Sequence, residues 1–127
     1  MKFCKNVEKT LNIWEKEYKK GLTAYMILLM LTKGIKYGYE IKQNLEVLTD
    51  ERITFNESSI YQMLKHMESK GFISSEWVKT EKGPKRKYYK VLPSGVQLVK
   101  IFGENYVEPM QTALNAMING GGNDDKN

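Results

Sequence analysis

The stretch NESSIYQMLKHMESK, residues 56–70, decides how the rest of the chain is to be read. Placed on a helix at about 100° per residue, Ile60, Met63, Leu64 and Met67 fall within an arc of about 100°, and Ser58, Gln62, Lys65 and Ser69 within about 60° on the opposite side. Tyr61 flanks the polar stripe. Asn56 is a strong N-cap residue, Glu57 complements the positive end of the helix dipole, and Gly71 suits the left-handed position that closes a helix. The segment is therefore a helix with one face for a core and the other for water, or for whatever replaces water.

Reading outward toward the N-terminus, residues 38–48 set Ile41, Leu45 and Leu48 on one face and predict a second helix, followed by a polar connection over 49–54. Before it, residues 24–31, AYMILLML, are apolar on nearly all sides. Eight residues fall far short of the roughly 18 that span a bilayer, so the run predicts a central core helix from Thr23 to about Thr32, ended by Lys33-Gly34. Earlier still, Val7, Leu11, Trp14 and Tyr18 recur at helical steps among Lys, Glu and Asn and predict a separate amphipathic helix over residues 1–20, interrupted at Gly21.

Toward the C-terminus the period changes. Residues 72–79 and 87–92 are rich in β-branched and aromatic side chains around the turn TEKGPKR at 80–86, which predicts a β-hairpin. Trp77 alternates with Ile73 and Ser75 and is expected to pack beneath that hairpin. Ser94 to Gln97 has the S-x-x-Q form of a capping box, and Val99, Phe102, Tyr106, Met110, Leu114 and Met117 then recur at helical steps. A long helix over 94–118 is expected, with a kink near Glu108 because Gly103 and Pro109 interrupt it. Residues 119–127, polar and glycine-rich, are expected to fray.

The fold class that results is mainly α with a small β-hairpin. The order helix, helix, polar-faced helix, basic hairpin is that of a winged helix-turn-helix, here residues 21–93. The apolar stripes of the two terminal helices exceed what one small domain can cover, and dimerisation through Val7, Leu11, Trp14, Phe102, Tyr106, Met110, Leu114 and Met117 is the economical way to bury them.

Charge narrows the function. The chain carries +5, and residues 79–90, KTEKGPKRKYYK, hold six basic residues against one acid, so this one segment equals the whole chain's net charge. A B-DNA major groove admits one α-helix, and the polar stripe of residues 56–70 can hydrogen-bond base edges or phosphates. Lys82, Lys85, Arg86 and Lys87 would then meet the flanking backbone. By contrast, one histidine (His66) and one cysteine (Cys4) supply neither a catalytic triad nor a closed metal shell. No catalytic residue, metal site or cofactor is expected. The N-terminus has no apolar run of the secretory kind, and a cytoplasmic, nucleoid-associated protein is expected.

Between Leu22 and Phe102, about two thirds of the chain, the sequence resembles the PadR family of bacterial and archaeal transcriptional regulators. The carrying stretches are LTAYMILLML, YGYEI at 37–41, SSIYQMLKHMESKGFI at 58–73 and GPKRKYYKVLPSG at 83–95. The resemblance implies a homodimer whose C-terminal helix supplies much of the interface, and repression through inverted-repeat operators in double-stranded DNA. It matches Asn56, Ser58, Ser59, Tyr61, Gln62 and Lys65 to the recognition helix. It matches Gly83, Pro84, Lys85, Arg86 and Lys87 to the wing, and Tyr37 to the tyrosine that opens the second helix. The chain has Ser59-Ile60-Tyr61 where members often carry Thr-Leu-Tyr. The terminal helix is single, as in the small subclass, and lacks the tryptophan that some small members use to bind aromatic drugs, so no effector is identified. Two other functions use the same features: a winged-helix protein of plasmid partition or replication termination, and a ligand-sensing or protein-interaction module built on the uncovered apolar stripes.

Overall fold

The computed structural model describes residues 4–120. Five α-helices and three short strands follow in the order α1 (Lys5–Leu31), β1 (Lys36–Tyr37), α2 (Gly38–Leu48), α3 (Glu57–Ser69), β2 (Ile73–Val78), β3 (Arg86–Val91), α4 (Pro93–Phe102) and α5 (Glu108–Asn119), with a π-helical turn, Gly103–Val107, joining the last two. The mostly helical chain with its small antiparallel sheet is the expected winged helix.

One core holds these elements together. Ile27, Leu28, Met30 and Leu31 of α1 meet Ile41 and Leu45 of α2, Ile60, Leu64 and Met67 of α3, and Ile73, Tyr89 and Val99 from the wing and α4. The apolar arc of residues 56–70 is thus the buried one, and Met63 is half-buried beside it. Asn56 caps α3 by accepting from the Ser59 backbone N–H at 3.0 Å, and Gly71 closes it with φ of 82°. Phe55, just ahead of the cap, is buried, and its N–H donates to Glu46 Oε2 at 3.2 Å. Lys42 binds the same oxygen at 3.0 Å. The Lys42 hydrogen bond, then the Phe55 N–H, hold the Glu46 carboxyl below its ordinary range. The contribution of this clamp is present above the unfolded carboxylate's pKa and disappears as acid protonates Glu46.

The structure corrects four sequence expectations. First, the N-terminal and central helices are one helix of 27 residues, and Gly21 does not interrupt it. A glycine inside a helix costs only about 1 kcal/mol, and the good helix formers on either side offset that. Second, α4 starts at Pro93 with Leu92 as its N-cap, so Ser94 is no cap. Its hydroxyl instead donates to the Gly71 carbonyl at 2.6 Å, tying α4 to the end of α3. Third, the disturbance near Glu108 is a π-turn rather than a simple proline kink. Glu108 N–H donates five residues back, to Gly103 O. Pro109 has no N–H and its ring clashes with the carbonyl four residues earlier. That carbonyl belongs to Asn105, inside the widened turn. Fourth, Trp77 is 61% exposed, because burial declines along β2 from Ile73 outward and the hairpin runs beyond the body of the protein.

β1 has only two residues and therefore no readable period. It pairs antiparallel with β3, Lys36 opposite Tyr89 and Tyr37 opposite Tyr88, giving sheet order β1-β3-β2. Gly95 shows how tightly the wing's base is joined to α4. A Cβ there would strike the Phe72 carbonyl oxygen and lie 2.7 Å from Val91 Cγ2. Backbone cannot yield as a side-chain tip can, so Gly95→Ala is expected to lower unfolding stability by about 1–3 kcal/mol, measured by urea denaturation. Unchanged stability would mean that α4 is free to shift on the sheet.

Of the two terminal stripes, Val7, Leu11 and Trp14 on α1 and Tyr106, Met110, Leu114 and Met117 beyond α4 are all exposed on the single chain, and α5 buries no residue. Phe102 differs. It is half-buried, its ring 5.5 Å from Tyr25 on one side and 5.5 Å from Tyr106 on the other. The 119–127 tail lies almost wholly outside the described residues; Asn119 is the last residue of α5.

Candidate nucleic-acid interface

α3 projects its polar stripe from the body, with Asn56, Ser58, Ser59, Tyr61, Gln62 and Lys65 all exposed. These six residues are not equivalent. The Asn56 oxygen is occupied by the cap, and the Ser58 hydroxyl donates to it at 3.0 Å, so both shape the helix start. Gln62 and Lys65 have no such internal bond among the described residues and point outward. Glu68, on the same helix, accepts from Ser75 Oγ at 2.6 Å and fixes α3 to the wing's base.

Tyr61 sits at one border of the stripe, against the start of α2. A Cβ on the buried Gly38 would lie 2.5 Å from Tyr61 Cε1 and 2.7 Å from Cζ. Only a glycine leaves room for the phenol end of the Tyr61 ring against the start of α2, and this contact helps place α3. Burial, then the Glu57 charge, raise the Tyr61 phenol above its ordinary range; burial does the same for Tyr89, with smaller effects of Tyr61 and Glu68. Both hydroxyls stay protonated at neutral pH and can donate a hydrogen bond.

Beyond Tyr61 lies an open groove of about 660 Å³, lined by Tyr37, Gly38 and Tyr39 at the start of α2, by Tyr61, and by Trp77, Lys85, Arg86, Lys87 and Tyr89 of the wing. Aromatic faces hold its cations. The Arg86 guanidinium carbon lies 4.4 Å above the centre of the Tyr37 ring, and Tyr37 in turn meets Tyr88 edge to face at 5.5 Å. Lys87 Nζ stands 5.7 Å from the Trp77 ring and 6.0 Å from Tyr89. Such contacts keep a cation oriented while leaving its hydrogen-bond donors free. β1 explains Tyr37: its strand pairing opposite Tyr88 places the ring beneath Arg86, and its N–H donates to Glu40 Oε1 at 3.0 Å at the start of α2. Lys82 and Gly83 lie at the exposed tip, where Thr80 Oγ1 donates to the Pro84 carbonyl at 3.1 Å and braces the turn.

Of the sequence-predicted residues, the structure brings Tyr37, Tyr61, Lys85, Arg86 and Lys87 into this one groove, while Ser58, Lys65, Lys82 and Gly83 are exposed outside it. Tyr39, 53% exposed in the same groove, was missed. The signal was present in YGYEI, where two tyrosines straddle the glycine on which Tyr61 rests. Also missed were Lys16, Lys19 and Lys20, which line a second groove on the other side of α3. The expected break at Gly21 had detached them from the domain.

Comparison with known proteins agrees with this geometry. Residues 27–100 match the transcriptional regulator PadR-like family. An uncharacterised protein of Lysinibacillus sphaericus is 30% identical over 89 residues, which cover 67% of this chain and 82% of that protein. A transcriptional regulator from Clostridium thermocellum superposes with a TM-score of 0.68 at 30% identity, over 78% of this chain and 92% of that one. A PadR-like regulator from Bacillus cereus gives 0.67 at 27% identity, over 80% and 96%. Bacillus subtilis PadR, solved in complex with operator DNA, gives 0.57 at 28% identity, over 62% of this chain and 45% of that one. With a polar-faced helix, a basic wing and a family match over more than half its length, the chain belongs to the PadR-like family of transcriptional regulators.

Proposed function

We propose that this regulator is a homodimeric repressor that binds a two-fold symmetric operator in double-stranded DNA. The observation that carries the reading is the exposed polar stripe of α3 standing directly beside a wing whose cations are held over aromatic rings. Gln62 and Lys65 read base edges, Tyr61 and Ser59 border them, and Asn56 and Ser58 present the helix start. Lys82, Lys85, Arg86 and Lys87, with Gly83 keeping the wing tip slim and Tyr37 beneath it, meet the backbone. Residues 21–93 form the DNA-binding unit and residues 94–118 the dimerisation helix. The operator-bound Bacillus subtilis relative supports a duplex partner. No described helix is long and apolar enough to cross a membrane, and the site of action is taken to be the cytoplasmic nucleoid.

Two-fold symmetry makes a geometric demand: the half-sites should lie about 34–36 Å apart, one helical turn, or a multiple of it. Selection of bound duplexes from a random pool, repeated at two salt concentrations, tests the whole reading. An enriched inverted repeat and a steep loss of affinity with salt are expected; no enriched motif and a flat response would refute it.

Gln62→Ala separates reading from holding. A good bidentate side-chain contact discriminates against a wrong base by about 1–3 kcal/mol. The variant should lose about that much preference for the selected motif while keeping its affinity for unrelated duplex. An equal loss on both would make Gln62 a backbone contact.

A further inference from the structure

α1 extends well before the family match, which starts at residue 27, and this extension has two unlike faces. At about 100° per residue, Val7, Leu11, Trp14 and Tyr18 form one stripe. Roughly opposite, Lys5, Lys9, Asn12, Lys16 and Lys20 form another, with no acid among them and Lys19 at its edge. The basic stripe continues the face that further along the helix holds Thr23 and Ile27, both buried. It therefore points to the side on which α3 lies.

Contacts fix that placement. Lys19 Nζ donates to the Thr54 carbonyl at 2.9 Å, two residues before the cap of α3, and pairs with Glu15 at 3.1 Å. Lys16 and Lys20 line an open groove of about 650 Å³ whose other wall includes Asn56, Ser59, Gln62 and His66 of α3. The polar stripe of α3 is consequently bordered on both sides by cations, the wing beyond Tyr61 and α1 beyond Ser59.

A helix lying in a major groove about 12 Å wide has a phosphate backbone on each side. We propose that the basic face of α1's extension is a second backbone contact, meeting the strand across the groove from the one the wing meets. The proposal rests on the DNA-binding reading above. It fits a duplex because the lysines come in two pairs four residues apart, Lys5 with Lys9 and Lys16 with Lys20, with Asn12 between, over roughly 22 Å along one face, a row suited to a linear polyanion. Lys19, already engaged by Thr54 and Glu15, orients the extension.

The test is the triple variant Lys9→Gln, Lys16→Gln, Lys20→Gln. All three side chains are exposed on a helix, and glutamine matches lysine in helix propensity, so folding is expected to hold and is checked by circular dichroism. Three lost phosphate contacts should make the slope of log affinity against log salt shallower by about 2.7, so that between 50 and 200 mM salt the variant loses about 40-fold less affinity than the parent. The selected motif should stay the same. The wing variant Lys85→Glu with Arg86→Glu runs in parallel. If parent and triple variant share one slope while the wing variant binds poorly, the second contact is refuted and the DNA reading stands. If the parent binds no duplex, both fall.

Discussion

Lys85→Glu combined with Arg86→Glu is expected to lower affinity for duplex DNA on the order of 100-fold or more at moderate salt, and to flatten its salt dependence. Two phosphate contacts would be lost and two repulsions gained. Arg86 has a further role, since its guanidinium lies over Tyr37 and links the wing to the start of α2. Both residues are exposed and neither contributes to the core, so the fold should survive and circular dichroism should match the parent. Fluorescence anisotropy on a labelled operator at several salt concentrations measures the effect. Parent-like affinity would remove the wing from the interface and leave α3 without its neighbour.

The other large effect is expected at the far end of the molecule. If the proposed dimer forms through α5, Leu114→Asp should yield a monomer in sedimentation experiments where the parent is a dimer. α5 continues α4 through the π-turn but has no buried residue in the single chain, and helices in proteins draw most of their stability from packing of an apolar face. Tyr106, Met110, Leu114 and Met117 are the surface whose burial would stabilise it. An aspartate at Leu114 would put one unpaired charge per subunit into that seam, and burial of such a group costs far more than a surface substitution does. Operator affinity should drop by about 10²–10⁴, because each half-site would then be bound without the second. A variant that remains dimeric would move the seam to Val7, Leu11 and Trp14 on α1.

The elements that carry a strong period were legible from the residues alone. α2 begins and ends within a residue of its apolar pattern, and α3 is bounded by the cap and glycine that mark it in the sequence. The wing's strands follow the change to β-branched and aromatic side chains. What escaped depended on partners distant in sequence. β1 exists because β3 offers an edge, Ser94 is drawn from its cap by the Gly71 carbonyl, and Gly38 is explained only by the Tyr61 ring. Gly21 misled in the opposite direction: its local cost is small, nothing lies within 4 Å of where its Cβ would be, and a long helix absorbs it. That error cut α1 in two and hid the lysines alongside α3. Trp77 was misplaced because alternation gives the side of a strand, not how far the strand projects.

The π-turn at Gly103–Val107 does more than accommodate Pro109. It acts as a phase shifter. One residue too many in the ladder rotates everything downstream by about 100° relative to an uninterrupted α-helix. Met110 and Leu114, which an even ladder would set about 80° and about 120° round from Phe102, are thereby turned to within about 20° of its face. In a symmetric pair such an offset would be doubled by the two-fold axis and delivered at the tips, as the separation of the two α3 helices. Were the same residues wound as an even ladder, the seam would turn away by about 100° and the arms would swing to a new gauge, so that one turn of helix, far from any base, would dictate which operator length the protein can straddle.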